Sequence, residues 1–246
     1  LDRGEQAVDV YRRVQSLYPE DGRPLSRLIS VLCDLERYGE ALELLNSVEI
    51  SAKTSWPLSQ LVHEQKGRVL SERKDYAGAI EAFAKVGQPP WGDDYSLFMR
   101  TSCLNRMGKH DEAIILAREH ASRDEMDLSR QINLARFLVW ADRCSEATEI
   151  VDRLLASGPL AADIIVSASW VLADCGRRED ARRLALEAAS RKDMDAYARV
   201  TLVGVLCDLG ESAVAETQAR VLSRIDRRAE RAAREIIADV TAEDQK

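Results

Sequence analysis

The residues best suited to binding chemistry are aromatic and basic side chains, with two amides, spread between positions 68 and 197. They are Arg68, Tyr95, Phe98, Asn105, Arg106, Asn133, Arg136, Trp140, Trp170 and Tyr197. Aromatic and Arg side chains most often anchor peptides and proteins, and Arg pairs a carboxylate through two parallel hydrogen bonds. The set predicts a surface that binds a peptide or a partner domain. The alternative is that the aromatic side chains simply fill space inside the fold.

Residue patterns that carry catalysis do not stand out. His63 and Glu64 lie in H-E-Q-K-G, which lacks the second His of a zinc-protease helix. The sequence has no G-x-G-x-x-G, no Walker loop and no G-x-S-x-G. His110 and His120 are expected to be structural, as is His63. We therefore predict that the chain is not an enzyme and uses no cofactor and no metal.

The five cysteines are odd in number and form no C-x-x-C. They are Cys33, Cys103, Cys144, Cys175 and Cys207. Metal ligation and disulfides are both poor interpretations of that pattern, so five reduced thiols packed as small hydrophobes are expected. Reduced thiols favour a cytoplasmic location, with the periplasm as the alternative.

Composition points to helices and argues against two classes of partner. Ala, Leu, Arg and Glu dominate, and all are good helix formers. The net charge of −7 argues against general nucleic-acid binding, which needs basic stripes. No apolar run approaches the ~18–20 residues that span a bilayer. The Ala- and Arg-rich composition suggests a bacterial source.

The elements that position these side chains repeat along the chain. Seven alanines lie 34, 38, 34, 34, 34 and 34 residues apart: Ala7, Ala41, Ala79, Ala113, Ala147, Ala181 and Ala215. Nine residues before six of them stands a leucine: Leu32, Leu70, Leu104, Leu138, Leu172 and Leu206. Apolar side chains also follow most of the alanines by four and seven residues, which is one face of a helix. Each repeat therefore contains two amphipathic helices, with mostly small residues where they meet.

The turn between the two helices falls five residues before each alanine. Gly108, Gly176 and Gly210 occupy this place, where a helix end favours a residue that tolerates positive φ. Glu36, Lys74 and Asp142 occupy it elsewhere, so those turns are expected to end differently. Asp127 and Asp195 are predicted to cap the helices that follow them.

This pattern resembles the tetratricopeptide repeat family, whose repeats are 34 residues long. The matching residues are Tyr38-Gly39-Glu40-Ala41-Leu42, Tyr76-Ala77-Gly78-Ala79-Ile80-Glu81-Ala82-Phe83 and His110-Asp111-Glu112-Ala113-Ile114, with Pro19 and Pro159 as helix stops. The later repeats carry Cys144, Arg178 and Ser212 in place of the tyrosine and are expected to pack less regularly.

The resemblance implies an all-α fold, a right-handed α-α superhelix (a solenoid) of about 6.5 helix-turn-helix repeats with a C-terminal capping helix. It also implies that the first helix of each pair lines the concave surface, where the ten binding residues would lie. In the chaperone-binding members a clamp of Lys and Asn holds a carboxylate. Ser26, Ser30, Arg68, Asn133 and Arg136 do not reproduce that clamp, so chaperone binding is not predicted.

The repeats divide the chain as one solenoid, 1–246. The ranges are 1–21 for the second helix of a truncated first repeat, then 22–59, 60–93, 94–127, 128–161, 162–195 and 196–228 for repeats, and 229–246 for the cap and tail. The longer interval predicts a longer loop or an added turn of helix within residues 49–57, which include Trp56, and a second irregular loop contains Trp91. Each Trp is expected either to fill the gap between neighbouring repeats or to contact a partner. Residues 220–240 are predicted to form one final helix, and 241–246 to fray.

The Arg-rich final helix has two interpretations. It carries six Arg between Arg220 and Arg234 against Asp226 and Glu230. It is therefore either a solvated cap with ion pairs one turn apart or a dock for an anionic partner.

Together these features predict a non-catalytic protein–protein interaction scaffold that binds a peptide or partner domain in a concave groove. The alternative is a regulatory or substrate-docking module of a larger enzyme, such as a bacterial glycosyltransferase, or of an envelope secretion or assembly complex. The half repeat at the start suggests that the native chain extends upstream, or that this end pairs with a second copy as a homodimer.

Overall fold

The computed structural model describes residues 2–48, 56–86 and 93–243. The insertion expected before Trp56 and the loop around Trp91 lie outside the described residues, as do the side chains of both tryptophans. The chain divides into two compact units, Leu1–His120 and Ala121–Lys246.

The described residues form fourteen helices and no strand. Those that begin in the first unit are α1 (Asp2–Leu17), α2 (Gly22–Asp34), α3 (Tyr38–Ser47), α4 (Trp56–Glu72), α5 (Tyr76–Ala84), α6 (Asp93–Arg106) and α7 (His110–Ser122). Those of the second are α8 (Leu128–Trp140), α9 (Cys144–Ala156), α10 (Ala162–Asp174), α11 (Arg178–Ala189), α12 (Ala196–Asp208), α13 (Ser212–Leu222) and α14 (Arg227–Glu243). The all-α helical-repeat class predicted from the sequence is confirmed.

The repeating small and large residues form the core. Six of the seven repeat alanines, Ala41 to Ala215, are at most 1% exposed, whereas Ala7 is half-buried. Of the six leucines only Leu104 is half-buried, and the others are buried. An alanine at the contact lets the second helix approach its neighbours closely, so the periodic positions are where the helices pack.

The turn between the helices of a pair has the same form in all six pairs. Glu36, Lys74 and Asp142 have φ of 58°, 64° and 59°, beside 74° at Gly108 and 81° at Gly176. The prediction that the non-glycine turns end differently is therefore wrong. In each pair the residue after the left-handed one donates its N–H to the carbonyl of the repeat leucine, as Arg37 does to Leu32 at 2.8 Å. These bonds form a Schellman motif, and they impose positive φ whatever the side chain.

Two helices begin directly after the aspartates that were predicted to cap them. Asp127 accepts from the backbone N–H groups of Ser129 and Arg130, and Asp195 from that of Ala198. Both capping predictions are confirmed. Side-chain acceptors satisfy N–H groups that the first turn of a helix leaves unpaired.

The C-terminal region differs from the prediction of one helix over residues 220–240. α13 ends at Leu222, and Asp226 accepts from Arg228 N and Ala229 N to start α14. α14 buries Ala233 and Ile237, while Arg234 pairs with Glu230 at 2.9 Å. That pair lies on a solvated outer face, as the cap interpretation predicts. The helix reaches Glu243, so fraying from residue 241 is wrong for the first three residues.

The later repeats were expected to pack less regularly because they lack the tyrosine. Their six helices, α8 to α13, all have 11 to 13 residues. How regularly they pack stays a prediction. Two of the replacements form links of their own. Arg178 donates to the backbone oxygen of Asp208 at 2.6 Å, and Cys144 is disulfide-bonded to Cys175.

Gly67 shows how closely the helices of a pair approach. A Cβ added there would lie 2.7–2.8 Å from ring atoms of Phe83, whose side chain is fully buried. We expect Gly67→Ala to lower the free energy of unfolding by about 1 kcal/mol. That figure is an overpacking cost of about 2 kcal/mol, the middle of the usual range, less a helix-propensity gain of about 1 kcal/mol. Urea unfolding measures it.

Gly204 provides the matched control for that substitution. A Cβ there would meet no described atom within 4 Å, so Gly204→Ala should raise the free energy of unfolding by about 0.5–1 kcal/mol. Phe83→Leu should reduce the cost of Gly67→Ala. A Gly67→Ala protein as stable as wild type would show that the ring does not set the helix spacing.

The left-handed position offers a second test, at Asp142. An L-residue with a Cβ strains this conformation, so Asp142→Gly should stabilise the protein by about 0.5–1 kcal/mol. Gly176→Ala, at φ 81°, should destabilise it by about 1 kcal/mol or more. Thermal and urea unfolding measure the change in stability of each variant relative to wild type. A destabilising Asp142→Gly would contradict the prediction.

Candidate functional site

The ten predicted binding residues fall into two sets, one in each unit. Arg68, Tyr95, Phe98, Asn105 and Arg106 belong to the first unit. Asn133, Arg136, Trp140, Trp170 and Tyr197 belong to the second. All ten lie on the first helix of a pair, as the resemblance implies.

The second unit brings three of its five residues together. The ring centroids of Trp140 and Trp170 are 5.8 Å apart, with the ring planes inclined at 60°. The Cζ atom of Arg136 lies 5.9 Å from each centroid. A guanidinium within about 6 Å of an indole face is attracted by the electron-rich ring. We call Arg136, Trp140 and Trp170 the tryptophan–arginine cluster.

Two neighbouring first helices build this cluster. Arg136 and Trp140 are one turn apart on α8, so they share a face of that helix. Trp170 comes from α10, the first helix of the next pair, and α8 and α10 are in contact. Trp140 is 36% exposed, whereas Arg136 and Trp170 are half-buried. The cluster thus presents an aromatic surface with a held cation beside it.

Phe137 packs against the cluster from its buried side. It was not among the residues predicted from the sequence. Its buried ring meets Trp140 edge to face, with centroids 5.3 Å apart. Edge-to-face pairs are favourable because a positive ring edge meets a negative ring face. The spacing of three residues on one helix was the available signal. This ring limits the positions that Trp140 can adopt.

Asn133 and Tyr197 do not join the cluster. Asn133 is half-buried on α8. Tyr197 is 67% exposed, and no residue in the described ranges stacks on its ring. Their role in binding stays a prediction.

The residues of the first unit make separate pairs. Arg68 donates to Gln65 Oε1 at 3.1 Å, and Asn105 Oδ1 lies 2.6 Å from His110 Nδ1. Tyr95 meets Phe83 edge to face at 6.3 Å. Phe98 is half-buried and Arg106 is exposed. These contacts fit the alternative, in which the side chains fill and join the fold.

Two carboxylates occupy equivalent positions in successive repeats close to the cluster. Asp174 and Asp208 each stand seven residues before a repeat alanine, in successive pairs. Both carboxylates are exposed, yet desolvation by the surrounding residues raises the pKa of Asp174, and the charge of Asp208 raises it further. The pKa of Asp208 is also raised by desolvation, with Arg178 opposing. Two like charges held near each other favour protonation of one of them.

The cysteines do not all carry free thiols, which corrects the prediction of five. Cys144 and Cys175 form a disulfide, with their Cα atoms 5.3 Å apart. That separation lies in the usual range for the bond. Cys103 and Cys207 are free and buried, and Cys33 is free and half-buried. Because two of the five cysteines are paired, the cysteine content no longer favours a reducing compartment.

The three histidines are buried or half-buried. His120 is buried, and His63 has its pKa lowered by burial. Among the residues that the structure describes, no three or more His, Cys, Asp or Glu side chains are grouped so as to hold a metal ion. Nor does any described helix combine the length and apolar character that a membrane span requires.

Comparisons with known proteins agree on the fold. A tetratricopeptide repeat protein from Parabacteroides merdae superimposes with a TM-score of 0.61 at 11% identity, covering 94% of this chain and 91% of that one. The chain has the tetratricopeptide-repeat fold. Two solved structures with lower scores are pilF of Pseudomonas aeruginosa (TM-score 0.46, 16% identity, 96% and 99% covered) and YrrB (0.42, 17%, 78% and 96%).

No family model matches the sequence, and no curated protein matches it. At 11% identity the similarity shows the tetratricopeptide-repeat fold and nothing about the ligand.

The carboxylate at Asp174 gives a test that depends on pH. Its folded-state pKa is above the ordinary 3.8, so above the folded pKa its charge costs the folded state free energy. That cost is absent below 3.8, where folded and unfolded chains are both protonated. Asp174→Asn should therefore stabilise the protein near pH 7, and the gain should vanish near about pH 3.

Asp180 is the control of opposite sign. Hydrogen bonds from Arg177 lower the pKa of Asp180, so its charge stabilises the folded state above 3.8. Asp180→Asn should reduce stability near neutral pH, and the loss should shrink in acid. Urea unfolding of each variant and of wild type, at about pH 7 and about pH 3, gives the change in the free energy of unfolding for both substitutions. A gain from Asp174→Asn that persists in acid would contradict the assignment.

Proposed function

We propose that this chain is a non-catalytic protein-interaction scaffold, and that its second unit binds a peptide segment of a partner at the tryptophan–arginine cluster. The observation that supports the proposal is the placement of Arg136 at 5.9 Å from two tryptophan rings, one of them 36% exposed. Tryptophan and arginine are the side chains most often found as binding hot spots.

The cluster suits a ligand with two features. The exposed face of Trp140 offers apolar area for an aromatic or aliphatic side chain. The guanidinium of Arg136 is a directional donor for a carboxylate. We therefore expect a peptide that carries an apolar side chain close to a carboxylate, either of Asp or Glu or of the chain end.

Preorganisation is what makes this cluster more favourable for binding than an isolated Trp and Arg. The rings hold the guanidinium, and Phe137 holds Trp140 from the buried side. Side chains that are already ordered lose less conformational entropy when a ligand binds. A large share of the contact energy is thus available for affinity.

The two remaining ideas about role and location stay predictions. A docking module of a larger enzyme, or of an envelope assembly complex, would use the same surface. A cytoplasmic location also stays a proposal. Two of the five cysteines are paired, so the cysteines do not support it.

A peptide selected from a random phage-displayed library on the intact chain tests the proposal. Its dissociation constant is then measured by calorimetry for wild type, Trp140→Ala and Arg136→Ala. Loss of a hot-spot side chain costs about 2 kcal/mol or more, so each variant should bind about thirtyfold or more weakly. Far-UV circular dichroism confirms that each variant folds.

Matched controls come from the second helix of a pair in the same unit. Leu186 on α11 is 40% exposed, and the Arg183 side chain is 64% exposed. Leu186→Ala and Arg183→Ala should leave the affinity unchanged. If Trp140→Ala and Arg136→Ala bind as wild type does, the cluster is not the binding site and the proposal fails.

A further inference from the structure

The disulfide joins two successive helix pairs beside the tryptophan–arginine cluster. Cys144 is the first residue of α9, and Cys175 is the C-cap residue that directly follows α10. Their Cα atoms are 5.3 Å apart. The bond therefore ties the turn that follows α8 to the C-terminal end of α10.

Both tryptophans of the cluster lie close in sequence to this bond. Trp140 is the last residue of α8, and three turn residues separate it from Cys144. Trp170 lies on α10, five residues before Cys175. Each tryptophan thus stands near one end of the covalent link.

The turns between the tryptophans and the cysteines are firmly hydrogen-bonded. After α8, Asp142 N donates to Val139 O and Arg143 N to Leu138 O, both at 2.9 Å. After α10, Gly176 N donates to Ala173 O at 3.0 Å and Arg177 N to Leu172 O at 2.8 Å. These hydrogen bonds join the turn at each cysteine to the last turn of the helix that carries a ring.

The other repeats use different groups at the register position of Cys144. Tyr38, Tyr76, His110, Arg178 and Ser212 stand there, three residues before their alanines. Arg178 reaches the next pair through a hydrogen bond to Asp208 O at 2.6 Å. Within the described ranges, only Cys144 makes this connection with a bond that thiol chemistry can break.

The two bonded cysteines are more accessible than Cys103 and Cys207. Both are half-buried, whereas Cys103 and Cys207 are buried. Burial and the nearby carboxylate of Glu72 raise the pKa of Cys33 to about 12, which keeps it protonated. Thiolates, not thiols, carry out exchange.

We infer that the Cys144–Cys175 disulfide is a redox-sensitive staple that holds Trp140 against Trp170 and so controls ligand affinity at the cluster. The inference rests on the proposed function for its effect on affinity. In the reduced protein the two helix pairs remain packed through α8, α9 and α10, but the spacing of the rings is no longer held covalently.

The chemistry is thiol–disulfide exchange with a small dithiol as reductant. A thiolate of the dithiol attacks one cysteine sulfur, the Sγ–Sγ bond breaks, and a mixed disulfide forms. The second thiol of the reductant then displaces the remaining cysteine. The protein gains two electrons and two protons as two thiols, and the dithiol becomes a cyclic disulfide. Glutathione disulfide reverses the step and leaves as two glutathione thiols.

The test compares the full chain after treatment with glutathione disulfide and after treatment with dithiothreitol. Near-UV circular dichroism reports the tryptophan pair without any ligand, and calorimetry gives the affinity of the library-selected peptide. Mass spectrometry of alkylated protein verifies which cysteines are bonded. We expect reduction to change the tryptophan signal and to weaken peptide binding about fivefold or more, the lower end of usual coupling between sites.

Two variants separate the staple from general effects of the reagents. Cys144→Ser with Cys175→Ser should show the weaker affinity under both treatments. Cys33→Ser, the control, should respond to reduction as wild type does. If the double variant does not fold, reduction of wild type still provides the comparison.

The outcomes distinguish this inference from the proposed function. If oxidised and reduced protein show the same tryptophan signal and affinity while Trp140→Ala weakens binding, the staple is overturned and the binding site stands. If neither Trp140→Ala nor Arg136→Ala affects binding, the proposed function fails. A redox-dependent tryptophan signal then still supports the staple, and an unchanged one overturns it. Failure of glutathione disulfide to pair Cys144 with Cys175 also overturns it.

Discussion

The backbone conformation that ends each first helix is the constraint on which the other contacts depend. In six pairs, from α2–α3 to α12–α13, a left-handed residue follows the helix and the carbonyl of the repeat leucine accepts a 6→1 hydrogen bond. The bond reverses the chain within a few residues and returns the second helix onto the first. That reversal buries the repeat alanine, and it aligns the first helices of neighbouring pairs so that Trp140 and Trp170 meet.

The position three residues before the repeat alanine is occupied by different side chains, which make different contacts, in different repeats. Three residues before the alanine, His110 contacts Asn105 of its own pair, Cys144 is bonded to Cys175, and Arg178 reaches the backbone of Asp208. The six helices α8 to α13 keep nearly equal lengths, 11 to 13 residues, although their repeats lack the tyrosine. The repeat fold thus accepts different side chains at this place.

Much of the fold was predictable because its signals are local. Alanine and leucine periods define amphipathic helices, and Asp127 and Asp195 cap helices through their own neighbouring N–H groups. The turns at Glu36, Lys74 and Asp142 were mispredicted because positive φ was inferred from glycine alone. There the hydrogen bonds impose the conformation on residues that only tolerate it. The candidate site was less predictable: Arg136, Trp140 and Trp170 meet, whereas Tyr197 from the same pattern stands apart.

The sequence by itself determined the helical repeat, its register and the face on which aromatic and basic residues fall, since each depends on periodicity within a helix. Only the tertiary structure decided which of those residues touch. The contacts of Trp170 with Arg136, of Cys144 with Cys175 and of Phe137 beneath Trp140 depend on rotamers and on the spacing between helix pairs. Side-chain packing between pairs fixes that spacing, and no repeat period encodes it.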